Sequence, residues 1–326
     1  NAVLDGIHAS SEGKPLMMVL EDVHWADESS LFALRYAARN IADSKVLLLA
    51  TARPAEGAGF QKTMAAMKDE GSVSEIALTG LDLAGVRVLA DSVLPGSAFP
   101  DDFFGRLHRD CAGNPFFVSE LLRQMVADVA ITLADGKYSL AREDYAMPSS
   151  VDEVVARRLE SLDADAMAIA EYASCVGRSF PTSIVTSAPS LDDPGSSLEK
   201  LRASGIVTVV GASGEFSHAL FQAAVYDSIA PRWLAAHHRS IGEYYERANK
   251  GRIEDVLYEV ARHFSRTNVH EKAFRYCSMA AEKAEGAYAL EQAAGFYESA
   301  LAALPEAKVG SPYPEAHLRE RLGDAR

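Results

Sequence analysis

The residues best suited to chemistry are two adjacent carboxylates, Glu21 and Asp22, which directly follow the apolar run Leu16 to Leu20. Acids at the carboxyl end of a buried parallel strand face the ligand crevice of an open α/β sheet, where they hold Mg²⁺ or orient an attacking water. The plainer reading is an acidic turn after a strand, with Asp27 capping the helix that follows. A second apolar run, Val46 to Ala50, ends in Thr51-Ala52-Arg53-Pro54 and delivers a guanidinium to the same sheet edge. A planar, permanently charged fork suits the terminal phosphate of a nucleotide; the alternative is a surface salt bridge. A third cluster, Cys111-Ala112-Gly113-Asn114-Pro115-Phe116-Phe117, stands at the entrance to an amphipathic helix. Its Pro and Phe offer an apolar surface to a planar base, or else form a helix-entry turn with core aromatics.

Positioning these groups requires particular elements. The two unbroken apolar runs suit strands of a parallel sheet covered on both faces, and Leu31, Leu34, Ala38 and Ile41 between them recur at helical spacing. Strand, helix, strand at this length is a βαβ unit, so the first ~80 residues are expected to be α/β. From Asp82 onward helical stripes follow one another (Leu83, Val86, Leu89, Ala90; then Phe103, Phe104, Leu107; then Val118 to Val126), predicting a small all-helical lid. A polar stretch from Lys137 to Met147 ends at Pro148, after which Ser149 and Ser150 can cap a helix over Val151 to Leu162. Helix-like segments at 164–176 and 196–204, then strand-like Ile206 to Val210, a Gly211 to Gly214 turn and Glu215 to Ser217, describe a winged helix. Beyond about residue 232 the chain reads as helical and rich in alanine. Ala293, Tyr297, Ala300 and Pro305 match the second helix of a tetratricopeptide unit, and Ala273, Cys277 and Ala280 echo it only twenty residues earlier, too close for a regular ~34-residue array.

Composition excludes several classes. The 326 residues are 48% apolar and 24% charged, ordinary for folded protein and long enough for two or three domains. No apolar run approaches the ~18 residues of a membrane span and the first residues lack signal-peptide character, so the expectation is a cytoplasmic protein. Cys111, Cys175 and Cys277 lie far apart, without metal-ligand spacing, and read as core thiols. The net charge of −14 disfavours bulk DNA binding. Arg157, Arg158 and Arg202 could form a local basic face, although their acidic surroundings favour a solvated helix face, and His237-His238 shows no nucleophile–base spacing and reads as structural.

Four segments taken in order, Leu20-Glu-Asp-Val-His-Trp-Ala-Asp27, Ala50-Thr-Ala-Arg53-Pro54, Gly113-Asn-Pro-Phe-Phe117 and Phe216-Ser-His218-Ala-Leu-Phe-Gln-Ala-Ala-Val-Tyr226, resemble the AAA-type ATPases of the STAND class across nearly the whole chain. The resemblance implies an α/β P-loop NTPase core fragment (1–80), a helical lid (81–146), a winged-helix domain (147–231) and incomplete tetratricopeptide-like repeats (232–326). It implies that Glu21 and Asp22 are the Walker B acids that hold Mg²⁺, with Asp27 secondary. Arg53 would be the sensor, Pro115 the adenine-side contact, and His218 the histidine that touches the β-phosphate of ADP. ATP or ADP with Mg²⁺ are the implied cofactors. A protein or small-molecule signal would act at the repeats. DNA would be met only through an output domain outside this chain, such as a LuxR-type regulator, a cyclase or a kinase.

One departure stands against these matches. No G-x-x-x-x-G-K-[ST] loop occurs: Gly13-Lys14 is followed by Pro15, and Gly136-Lys137 by Tyr138. The expectation is truncation before the Walker A loop, with weak nucleotide binding and no hydrolysis by this segment alone. The competing reading is a nucleotide-free scaffold in which winged helix and repeats bind protein or DNA.

Overall fold

The computed structural model describes residues 2–11, 13–53, 57–142, 145, 148, 150–189, 191–307 and 313–325. Pro54, Met147 and Ser149, named above, lie outside them. The chain divides into two compact units, Asn1–Leu78 and Thr79–Arg326.

In the first unit α1 (Ala2–Ser11) leads into β1 (Leu16–Leu20), α2 (Glu28–Asn40), β2 (Val46–Ala50) and α3 (Ala58–Asp69). The strands pair in parallel, Leu16 opposite Val46 and Leu20 opposite Ala50, as the βαβ reading requires. Leu31, Leu34 and Ala37 give α2 its buried stripe. With Leu4 and Ile7 of α1 and Phe60 of α3 they cover the sheet face formed by Leu16, Met18, Leu20, Val46 and Leu48. The opposite face, with Met17, Val19, Leu47 and Leu49, is exposed. This corrects the expectation of strands covered on both sides, because the described helices of the unit pack on one side only.

The second unit begins with α4 (Leu83–Val93), α5 (Asp101–Cys111) and α6 (Pro115–Ala127), followed by a hairpin of β3 (Ile131–Ala134) and β4 (Lys137–Leu140). The segment is therefore not all-helical. Asp135-Gly136 makes the two-residue turn, both residues at positive φ, and pulls the polar stretch after Lys137 into a strand. Phe103, Leu107, Val118, Leu121, Leu122 and Met125 fill this core; each fully buried Leu, Val, Phe or Met contributes about 1.5–3 kcal/mol.

Next come α7 (Val151–Glu160, capped by Ser150), α8 (Ala164–Val176, capped by Asp163), β5 (Ser179–Pro181), α9 (Thr182–Val185), α10 (Pro194–Ala203), β6 (Val207–Val210), β7 (Ser213–Phe216) and α11 (Ala219–Ser228). The sheet order is β5-β7-β6, antiparallel throughout, one strand more than the sequence reading found. The last segment is helical: α12 (Pro231–Ala248), α13 (Leu257–Phe264), α14 (His270–Gly286), α15 (Leu290–Ala303) and α16 (Tyr313–Ala325). Ala273, Cys277 and Ala280 lie buried on α14, and Ala293, Tyr297 and Ala300 lie buried on α15. Their twenty-residue spacing has a physical cause: they are the facing stripes of one helical hairpin, not the same helix of two successive repeats. The packing is continuous across α12, whose Ile241 joins the core of α7, α8 and α11 while Tyr245 also packs against α13 and α14.

Candidate functional site

At the carboxyl ends of β1 and β2 the pairing runs on past both strands. Thr51 N–H donates to Leu20 O (2.9 Å), Val23 N–H to Thr51 O (2.9 Å) and Asp22 N–H to Thr51 Oγ1 (3.0 Å). The acidic turn and the Thr51-Ala52-Arg53 end are thereby locked side by side. Asp22 sits in the left-handed region at φ 54°, an uncommon conformation that an aspartate tolerates better than most residues. His24 is buried beneath the turn; its Nδ1 accepts the Arg53 N–H at 3.3 Å and lies 4.0 Å from Asp22 Oδ1. The Arg53 guanidinium stands 5.9 Å from the centre of the exposed Trp25 ring, within cation–π range. Asp27 does what the plainer reading expects: it caps α2, accepting from Ser30 N at 2.7 Å and Ser30 Oγ at 3.1 Å.

Among the described residues no cluster of three or more His, Cys, Asp or Glu could hold a metal ion. Glu21 and Asp22 fit Mg²⁺ only as part of a shell, since that ion takes one or two carboxylates and fills the rest with phosphate oxygens and water.

In the second unit, Asn114 caps α6 by accepting from Phe116 N (3.0 Å) and Phe117 N (3.2 Å), which sets Pro115 at the first helical position, exposed. Gly113 is obligatory at its place: φ is +67°, Leu81 N donates to its carbonyl at 2.8 Å, and a Cβ would fall 2.2 Å from Leu81 O. Phe117 turns into the core while Phe116 faces the other way and stacks on His218, centroids 3.9 Å apart and planes 22° off parallel. His218 caps α11, its Nδ1 accepting the Leu220 N–H at 3.2 Å. The neutral ring therefore carries its proton on Nε2. Burial first, then the Arg178 charge, hold its pKa below 6.5 against an opposing pull from Glu120. The nearly buried Glu120 ion-pairs with Arg123 on its own helix and with Arg158 of α7 at 3.3 Å; Arg158 also donates to Ser204 O.

The chain thus sets Asp22 and Arg53 on either side of His24 in the first unit, and stacks His218 on Phe116, next in sequence to Pro115, in the second. The arginines considered as a basic face are spent on internal partners: Arg157 on Glu153, Arg158 on Glu120, Arg202 on Glu199. Cys111, Cys175 and Cys277 are buried, each thiol pushed up to about 12 mainly by desolvation, which leaves them inert. Sequence reasoning gave no role to His24 or Thr51, although both lie inside the segments it singled out, and it read Phe116 as a surface for a base or a core aromatic, not as the partner of His218.

No protein-family profile matches the chain. An uncharacterized protein of Rhizobium meliloti (strain 1021) is 25% identical over 317 residues, covering 92% of this chain and 29% of that protein. Among solved structures the chain is similar to a Signal Transduction ATPase with Numerous Domains (STAND) that carries a tetratricopeptide repeat sensor, from Pyrococcus horikoshii. The TM-score is 0.58 at 13% identity, over 99% of this chain and 48% of that one. The chain spans less than half the length of either relative. The likeness establishes the fold, a mostly helical architecture with small sheets of the kind seen in that STAND protein. No described helix is long and apolar enough to cross a membrane.

Proposed function

We propose that this chain is part of a nucleotide-operated signalling switch of the STAND kind. In this reading residues 1–80 are the rear of a P-loop NTPase core, 81–146 its lid, 147–231 a winged helix and 232–326 the sensor repeats. The observation that carries the reading is the stack of His218 on Phe116. It joins the N-terminus of α11 to the turn beside Pro115, and the cap leaves the ring proton on Nε2, the donor a nucleotide phosphate would use. By the resemblance, Pro115 would border the adenine in the second unit, while in the first unit Arg53 would sense the terminal phosphate and Glu21 with Asp22 would hold Mg²⁺. The metal would neutralise phosphate charge; Asp27 is committed to capping. No G-x-x-x-x-G-K-[ST] cradle occurs in these residues, so in this reading the loop is supplied by sequence outside them. Such a switch requires contacts that differ between nucleotide states, and His218 is the contact proposed to be lost on opening.

The test is ADP release from the protein encoded by the uninterrupted reading frame, followed with a fluorescent ADP. His218→Ala is expected to release ADP about tenfold faster or more, the effect of losing one charge-assisted hydrogen bond. Equal release by variant and parent refutes the role, and salt-dependent DNA binding by residues 147–231 without nucleotide would favour the scaffold instead.

A further inference from the structure

The most unusual polar feature outside the proposed nucleotide contacts lies between α11, α12 and α13. His238 of α12 and His263 of α13 are both fully buried, their Nδ1 atoms 2.8 Å apart. His238 Nε2 lies 3.0 Å from the Tyr226 hydroxyl of α11, and His263 Nε2 lies 3.1 Å from the Arg262 guanidinium. Arg262 also donates to Val176 O, the last carbonyl of α8, at 2.8 Å and is paired with Glu259.

One proton arrangement satisfies both rings. A guanidinium only donates, so His263 Nε2 accepts and its proton sits on Nδ1. That proton goes to His238 Nδ1, which leaves His238 Nε2–H to donate to the Tyr226 oxygen. The result is a directed chain, Arg262 to His263 to His238 to Tyr226, running from the repeat segment into α11. One turn along the same face of α12, a Cβ on Gly242 would come within 3.0 Å of the Phe264 ring, so α12 and α13 are in close contact at this level.

We propose that this four-residue chain, buried at its two histidines, is the joint through which the repeat helices hold α11, and with it His218, in the packed position. Two features argue for a joint over a filled core. Apolar residues of similar volume would pack here without any desolvation cost, whereas a buried polar chain fixes a single geometry and is expensive when half made. And α11 carries His218 at its N-cap and Tyr226 in its last turns, eight residues or about 12 Å apart along one rigid helix. A shift of α13 that parts His263 from His238 is therefore felt at His218. The reach to nucleotide rests on the function proposed above; the joint itself does not.

The experiment is amide hydrogen exchange on the 326-residue chain, comparing residues 219–228 of α11 with residues 293–303 of α15. Tyr226→Phe leaves the His238 Nε2–H buried without an acceptor while keeping the ring, and His238→Phe removes the link altogether. Both are expected to raise α11 exchange about tenfold or more, the effect of one unpaired buried donor, while α15 keeps its protection. Unchanged α11 protection in Tyr226→Phe overturns the proposal, and so does an equal loss in α11 and α15, which would make the chain a general core contact. If α11 loosens but ADP release from the longer protein is unaltered, the joint stands and the nucleotide role of His218 fails. If His218→Ala speeds ADP release while Tyr226→Phe leaves α11 protected, the nucleotide role stands and the joint is overturned.

Discussion

Acid should open the joint between α13 and α11, by an amount the two histidines set. Burial pushes the pKa of both His238 and His263 well below 6.5, and for each the Arg262 and Arg266 charges push the same way. The groups facing the pair from the packed elements are Tyr226, His237, Tyr245, Glu259, Arg262 and Arg266. The packed state thus binds fewer protons than an opened state in which both rings meet water. Packing is fully favoured above pH 6.5 and weakens as pH falls below it, down to the lowered values of the packed rings. At pH 5.5 each exposed ring favours opening about tenfold, and both together about a hundredfold, roughly 2.7 kcal/mol. The assay is hydrogen exchange in residues 219–228 at pH 7.5 and 5.5, corrected for intrinsic exchange and referenced to α15. A referenced opening constant that stays within twofold refutes the reasoning. So does an acid effect that is undiminished in the double variant His238→Phe/His263→Leu, since the α11 cap His218, whose pKa is also lowered, or another group would then carry it.

Two further outcomes follow from single contacts. Arg158→Met is expected to lower stability by about 2–3 kcal/mol in urea unfolding, below the usual cost of breaking a buried pair because Arg123 still reaches Glu120; a loss under about 0.5 kcal/mol would mean that Arg123 alone satisfies the carboxylate. Gly113→Ala combines a φ of +67° with a Cβ 2.2 Å from a backbone oxygen, and is expected to cost at least about 2 kcal/mol in the same assay, whereas Gly136→Ala, also at positive φ but in open space, costs about 1 kcal/mol.

The sheet edge was legible because its signals are local. Five apolar residues running into two acids need only the strand period to be placed, and Asn114, Ser150 and Asp163 announce their helices by cap chemistry. The β3–β4 hairpin carries an equally local signal, Asp135-Gly136, which the sequence analysis passed over because the residues after Lys137 are polar; pairing with Ile131 to Ala134 overrides that polarity. The stack of Phe116 on His218 and the chain from Arg262 to Tyr226 were not legible at all. Their partners stand 102 and 36 residues apart by numbering, and neither period nor composition marks which buried aromatic will meet which histidine. His238 reads as a structural residue from sequence because its meaning lies entirely in the proton its neighbour holds.

The sizes of these contacts bear on how such a switch would divide its work. Moving a two-state element from mostly closed to mostly open takes about 5.5 kcal/mol of differential interaction. The joint, at one or two buried hydrogen bonds, supplies about 1–3 kcal/mol, and the stack of Phe116 on His218 about 0.5–1.5 kcal/mol beyond its buried area. Neither alone holds α11. The remainder falls to the packing of Phe221 and Val225 in the core beneath α11. A signal that breaks only the joint therefore biases α11 without releasing it, and release requires the contacts around His218 to weaken as well. In such a switch two inputs, one at each end of a single ten-residue helix, would then have to agree before it moves.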